Sequence, residues 1–352
     1  MEILQEFSDV TPILEDTIDG ICKITYAPHC TLGSEYLIFL VAEMVGMLRA
    51  CILSGELSDR VFRLTTAIIL INPSFVSAWH DLVVRQQCIL ENGIDYDKEF
   101  AFLDDVRRLT EKCYQTWMHR MFLVEISNCY ANEKEYCDSY IRLDNKNIHS
   151  WTYRHWVVEK YNLWEGEMEY TEKYIALDLF NNSAWSYRFY VFTHDSNQRP
   201  KQEIDVELEF VMDILKKAPH NDAAWNYLKG LLTACPTYSF IDVVSEVKRR
   251  NQEVLEETGK EVPGALDFLV SYCRKCYEVE RTEEAIGYAI RLQKADVVRK
   301  AWWQHMEEEL RKDKEYLEFV TWGVCWKKQK NRIFLSCYRF LEWLRDWLWD
   351  CL

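Results

Sequence analysis

The chain is predicted to be all-α, a right-handed α-solenoid (a crescent) of stacked helical hairpins with a tetratricopeptide-like period. Three observations predict it. Tryptophans recur at Trp79, Trp117, Trp151, Trp185 and Trp225, separated by 38, 34, 34 and 40 residues. A period near 34 fits one helical hairpin per repeat. Glycine and proline are scarce, 11 and 7 among 352 residues, which disfavours a turn-rich β-protein. Hydrophobic residues make up 49% and aromatics 14%, enough for a large core.

Read in order, residues 1–35 form an irregular N-terminal arm. A helical-hairpin repeat domain spans 36–312 and opens with a helical pair over 36–70. Five units centre on the tryptophans: Asn72-Pro-Ser-Phe-Val-Ser-Ala-Trp79, Lys112-Cys-Tyr-Gln-Thr-Trp117, Asn145-Lys-Asn-Ile-His-Ser-Trp151, Asn181-Asn-Ser-Ala-Trp185 and Asn221-Asp-Ala-Ala-Trp225. Asn147, Asn181 and Asn221 stand four before their tryptophans, where a short acceptor side chain can cap a helix N-terminus. Two positions after the tryptophan comes His119, Tyr153, Tyr187 or Tyr227, and three after it Arg120, Arg154 or Arg188.

In the third unit Ile148, Trp151, His155 and Val158 make one helical stripe, and Trp164, Met168, Thr171 and Ile175 a second. Neither helix can bury its stripe alone, so the hairpins must stack. The tryptophans and arginines are therefore expected first as packing and inter-repeat hydrogen-bonding residues. The first unit departs, with Asp81-Leu82-Val83 where an arginine-bearing helix is expected. A weaker sixth unit surrounds Trp303. The charged stretch 236–262 reads as an exposed helix and loop ending at Pro263-Gly264. A tail over 313–352 turns from basic to aromatic and apolar.

A net charge of −15, from 57 acidic and 42 basic residues, argues against a nucleic-acid partner and for a basic one. The 13 cysteines are scattered irregularly, which reads as buried thiols in a reduced compartment, and Cys273-Arg-Lys-Cys276 has no second pair to make a metal site. The first residues lack a basic leader, and no stretch has the ~18 uncharged apolar residues of a membrane span, so a cytoplasmic protein is expected. No glycine-rich phosphate loop, nucleophile motif or metal set among the 8 histidines stands out. Catalysis, if any, needs a partner.

The tandem Asn-x-x-x-Trp-x-x-Arg hairpins resemble the repeat of protein prenyltransferase α-subunits. Three stretches are similar to the α-subunit shared by farnesyltransferase and type-I geranylgeranyltransferase: Leu163-Trp-Glu-Gly-Glu-Met-Glu-Tyr170, Asn181-Asn-Ser-Ala-Trp-Ser-Tyr-Arg-Phe189 and Pro219-His-Asn-Asp-Ala-Ala-Trp-Asn-Tyr-Leu-Lys-Gly230. Arg299-Lys-Ala-Trp-Trp resembles that subunit's closing helix. The resemblance implies a crescent around a β-subunit, inactive alone. The holoenzyme it implies uses Zn2+ on the β-subunit and Mg2+ on the diphosphate. It would transfer farnesyl or geranylgeranyl from its diphosphate to the cysteine of a C-a-a-X tail.

Residue by residue, the resemblance makes Lys112 and Tyr114 neighbours of the leaving diphosphate. It makes Gln115 a donor to the acceptor-tail carboxylate and His149 a lining residue near the active site. Against the family pattern, Ile148 replaces an aromatic, Val76 an aromatic, Cys113 an asparagine and Met118 a histidine. Two further readings remain open, a Rab-type geranylgeranyltransferase α-subunit and a non-catalytic helical-repeat scaffold. The Pro219–Gly230 stretch and the end at 352 favour the shared subunit over the first. The joint presence of Lys112, Tyr114 and Gln115 favours it over the second.

Overall fold

The computed structural model describes residues 2–12, 34–71, 82–93, 95–110, 112–194 and 199–320. Val76, Trp79, residues 13–33 of the arm and the tail beyond 320 lie outside the described residues. The described residues are all helix or connection, with no strand among them. The chain divides into two compact units, Met1–Glu165 and Gly166–Leu352.

The first unit begins with a turn of helix, α1 (Glu2–Gln5), and the pair α2 (Ser34–Ser54) and α3 (Asp59–Ile71). Then follow α4 (Leu82–Asn92), α5 (Tyr96–Thr110), α6 (Tyr114–Ser127), α7 (Glu133–Ile141) and α8 (Ile148–Tyr161). Within it α3 packs on α4, α5 on α6 and α7 on α8, while α6 lies against α8. Met44, Leu48, Leu64, Ile68, Leu103 and Leu123 form its apolar centre. Phe7 is fully buried there and fastens the arm, helped by Arg60, which donates to the Glu6 carbonyl and Asp9.

The second unit repeats the scheme with α9 (Glu167–Leu177), α10 (Asn182–Thr193), α11 (Lys201–Lys217), α12 (Asp222–Ala234), α13 (Ile241–Thr258), α14 (Pro263–Cys276) and α15 (Val279–Ala295). A further helix, α16, covers 300–320. Here α10, α12 and α14 stack on one another, and α9, α11 and α13 each back one of them. The fold class is all-α, built of helical-hairpin repeats.

Each repeat turn is built by the asparagine and tryptophan together. Asn147, Asn181 and Asn221 accept from the amides two and three residues on, at 3.0 to 3.5 Å, so the helices start where a cap satisfies them. The indole N–H groups of Trp151, Trp185 and Trp225 donate to the carbonyls of Asn145, Leu179 and Pro219, six residues earlier, at 2.9, 2.8 and 2.7 Å. One side chain thus fills the space between hairpins while its polar edge closes the turn. Trp303, in the weaker sixth unit, is buried as well, and its indole donates to the Asp296 carboxylate.

Arg120 and Arg188 are buried, and each is satisfied by a glutamate that the sequence reading did not single out. Glu133 accepts Arg120 Nε and Nη2 at 2.8 and 2.9 Å and the Tyr153 hydroxyl at 2.6 Å. Glu207 accepts Arg188 Nε and Nη2 at 2.6 and 2.8 Å and the Tyr227 hydroxyl at 2.6 Å. Glu167 takes the Tyr187 hydroxyl at 2.7 Å, and Arg154 donates to the Lys134 carbonyl. Burial pushes the Tyr153 and Tyr227 hydroxyls far up from the usual phenol range, with the adjacent carboxylates adding to it, so they remain donors.

The first repeat also has its arginine, contrary to the sequence expectation: Arg85, one turn later in α4, donates two bonds of 2.8 Å to Glu99. Its third nitrogen reaches Thr65 and Thr66 of α3, and the ring of Phe62 lies 4.0 Å below. His119, in the tyrosine's place, meets Glu99 at 2.7 Å. Burial keeps this histidine below the ordinary imidazole range, so it is neutral and donates from Nε2.

The expected stripe of the third unit needs one correction. Trp151 and Val158 are buried, but Ile148 is 69% exposed. It is the first residue of α8, and side chains lean toward a helix's N-terminus, so it projects beyond the hairpin end. The inward face is completed by Tyr153, Arg154 and Val157.

In the second unit α14 comes close to α12 at Gly264, where an added Cβ would lie 2.2 Å from Cδ1 of Trp225. The indole cannot retreat without giving up its bond to Pro219. Gly264→Ala should therefore destabilise by about 1–3 kcal/mol, the usual cost of overpacking. A lower urea midpoint would show it, and an unchanged one would mean α12 and α14 part without cost.

Candidate active-site edge

Two neighbouring turns of the first unit carry all four residues singled out for chemistry. Lys112 lies in the turn before α6, Tyr114 and Gln115 are the first two residues of α6, and His149 is the second residue of α8. Packing of α6 on α8 brings these helix starts together. The rings of Tyr114 and His149 are 6.4 Å apart between centroids, tilted by 53°. Lys112 reaches across to the second turn, with Nζ 3.2 Å from Asp144 Oδ2.

Exposure separates this group from the packing residues one turn away. Lys112 keeps 68% of its side chain accessible and Tyr114 is 56% exposed, whereas Trp117 and Arg120 are buried. Tyr114 and Ile148 thus set apolar surface beside a cation at an open edge. Partial burial of His149 lowers its pKa below the ordinary imidazole value, which makes it neutral at neutral pH.

Gln115 is oriented by its neighbour. The Cys113 thiol lies 3.1 Å from Gln115 Oε1 and donates to it. With its oxygen engaged, the amide offers its NH2 group outward, the polarity a carboxylate needs.

Cys113 is also the N-cap of α6 and provides no side-chain cap, unlike the three asparagines. A helix start with uncapped amides attracts negative charge, and Lys112 stands next to it. Cys113→Asn is expected to add a cap worth about 1 kcal/mol. Chemical denaturation reads this as a raised midpoint. No gain would mean that the α6 amides are already satisfied.

Asp144 was missed in the sequence. Its carboxylate accepts from the Lys146 amide at 3.1 Å, as Asp178 does from Phe180 at 2.9 Å in the second unit. The legible signal was the Asp-x-x-Asn spelling shared by 144–147 and 178–181. What no spelling conveys is that Asp144 also meets Lys112. The amide of Lys146 first, and then Lys112, hold its carboxyl below the usual range.

No group of three or more His, Cys, Asp or Glu able to hold a metal occurs among the described residues. The buried thiols of Cys51, Cys88 and Cys273 are pushed up by burial, to about 11, 11 and 12, so these cysteines are poor ligands and nucleophiles. No helix among the described residues is long and apolar enough to cross a membrane.

Comparison with known proteins agrees with this architecture. The model of the protein prenyltransferase alpha subunit repeat matches residues 130–161, 164–195 and 204–235, each a hairpin described above. The protein farnesyltransferase/geranylgeranyltransferase type-1 subunit alpha of Schizosaccharomyces pombe is 39% identical over 304 residues, 86% of this chain and 94% of that one. A chain in the structure of Candida albicans protein geranylgeranyltransferase-I complexed with GGPP superposes with a TM-score of 0.66 at 25% identity, over 86% of this chain and 98% of its own. Repeats, turn chemistry and near-full-length identity lead to one assignment: this chain belongs to the protein prenyltransferase α-subunit family.

Proposed function

We propose that this chain is the α-subunit of a heterodimeric protein farnesyltransferase or type-I geranylgeranyltransferase. The enzyme transfers an isoprenoid from its diphosphate to a cysteine in a C-terminal C-a-a-X motif. The observation that carries the reading is the Lys112–Tyr114–Gln115–His149 edge, set in a chain 39% identical along most of its length to a subunit of that name.

In this reading Lys112 and the Tyr114 hydroxyl donate to the diphosphate as charge builds on the leaving oxygen. The Lys112–Asp144 pair is largely solvent-exposed and so worth at most about 1 kcal/mol. A diphosphate displaces such a partner readily. The Gln115 amide, held by Cys113, presents its NH2 to the acceptor's terminal carboxylate. The neutral His149 packs beside Tyr114 and limits where that ring can go. The β-subunit supplies the zinc, which when bound lowers the pKa of the acceptor thiol. A magnesium ion accompanies the diphosphate.

The test is co-expression with a family β-subunit, followed by transfer assays from farnesyl and geranylgeranyl diphosphate to a C-a-a-X peptide with zinc and magnesium. A 1:1 complex with activity that neither chain has alone is expected. Assembly without activity would instead support a scaffold that kept the fold, and no assembly would overturn the reading.

A further inference from the structure

Cys113 holds the N-cap position of α6 without capping it. In three other repeat turns that position belongs to Asn147, Asn181 or Asn221, whose side-chain oxygen accepts from the amides two and three residues on. Here the side chain turns to a neighbouring side chain instead, and the thiol donates to Gln115 Oε1 across 3.1 Å. One helix start has thus exchanged its cap for a bond to a residue of the candidate site. Stability forgone at such a place points to a task other than folding.

The bond has a direction that matters. A primary amide is nearly symmetric in shape but opposite at its two ends, with an acceptor oxygen on one side and two N–H donors on the other. An S–H group donates and its sulfur accepts only weakly, so the oxygen end is the one drawn toward Cys113. Cys113 is itself held, because it is half-buried and packs against the apolar centre of the first unit. Gln115 is half-buried too, and its side chain makes no other hydrogen bond among the described residues. Its NH2 group therefore faces the edge where Lys112 and Tyr114 are exposed.

We propose that Cys113 is a positioning residue that sets the selectivity of the acceptor site for a free terminal carboxylate. The proposal rests on the reading of Gln115 as the residue that meets the acceptor tail. With its NH2 outward, Gln115 donates to a carboxylate, a charge-assisted bond. With the amide turned over, its oxygen would face that carboxylate and repel it. A tail ending in a carboxamide is indifferent, since it can accept from one end of Gln115 or donate to the other. Without the thiol, both amide orientations and the remaining rotamers are open to Gln115, and each carboxylate that binds must order the side chain anew. The thiol thus decides which tail is bound and leaves the transfer step alone.

The test uses the heterodimer, co-purified with its β-subunit, and two acceptor peptides that differ only in ending as carboxylate or carboxamide. Cys113→Ala should lower kcat/KM for the carboxylate peptide about fivefold, the size of one neutral hydrogen bond, and change it for the carboxamide peptide by less than about twofold. Isoprenoid diphosphate binding and the urea midpoint should stay where they are, because no cap is lost. Cys113→Ser keeps a donor and should keep the parent's preference. Equal losses for both peptides would reveal a merely structural role and overturn the proposal. An unchanged preference in Cys113→Ala, or a serine variant that behaves like the alanine one, would overturn it as well. Gln115→Leu tells this failure apart from failure of the reading beneath it. A preference lost in Gln115→Leu but kept in Cys113→Ala overturns the proposal alone, whereas a preference kept in both removes Gln115 from the acceptor site.

Discussion

Glu207→Ala is expected to lower the stability of the folded chain by about 3–5 kcal/mol, the cost of stripping the partner from a buried cation. Arg188 meets Glu207 through two parallel N–H···O bonds, and the Tyr227 hydroxyl uses the same carboxylate. All three residues are buried. Removing the carboxylate leaves the guanidinium with the Met168 carbonyl, the Thr171 hydroxyl and the face of Phe210. Those neighbours cannot replace an opposite charge in a site closed to water. The glutamate also ties α10, α11 and α12 together, so its loss loosens three helices at once. Glu207→Gln keeps the shape and two hydrogen-bonding groups, and should cost less. Equilibrium urea unfolding decides the matter, and a loss under about 1 kcal/mol for Glu207→Ala would show that water reaches Arg188.

That carboxylate marks what the sequence conveyed and what it withheld. The tryptophans and asparagines were legible because cap and turn lie within six residues of each other, and local chemistry reads locally. The arginines and tyrosines were legible as repeat positions, but their common partner was not. Glu99, Glu133, Glu167 and Glu207 each stand 20 residues before the histidine or tyrosine they bond. On a chain with 57 acidic residues a lone glutamate reads as a solvated surface group. Only the spacing of 20, shared by four repeats, sets these apart.

The first repeat's arginine was overlooked for a related reason. Arg85 enters the same environment from one turn further along α4, so it falls outside the tryptophan-based register. Ile148 was placed in the core because period alone does not say where a helix stops being covered. At the site, the grouping of Lys112, Tyr114, Gln115 and His149 at one edge followed from the repeat length. Asp144 and the role of the Cys113 thiol did not, since both depend on which side chains meet across a turn.

Lys112→Ala is expected to reduce the single-turnover rate of the assembled heterodimer by about a hundredfold, with assembly and folding unchanged. The size is that of removing one donor aimed at charge that develops in a transition state. Folding should be indifferent because the side chain is 68% accessible and its ion pair with Asp144 is exposed. Asp144→Asn sharpens the test. It releases Lys112 but keeps an oxygen for the Lys146 amide, so the turn persists and the lysine has no competitor for the diphosphate. Asp144→Asn should therefore leave the rate intact or raise it, and should tighten diphosphate binding at low salt, where exposed charges are least screened. If Lys112 merely holds the two turns together through Asp144, the two variants will behave alike. A fast Asp144→Asn enzyme beside a slow Lys112→Ala enzyme can only mean that the ammonium acts on the substrate.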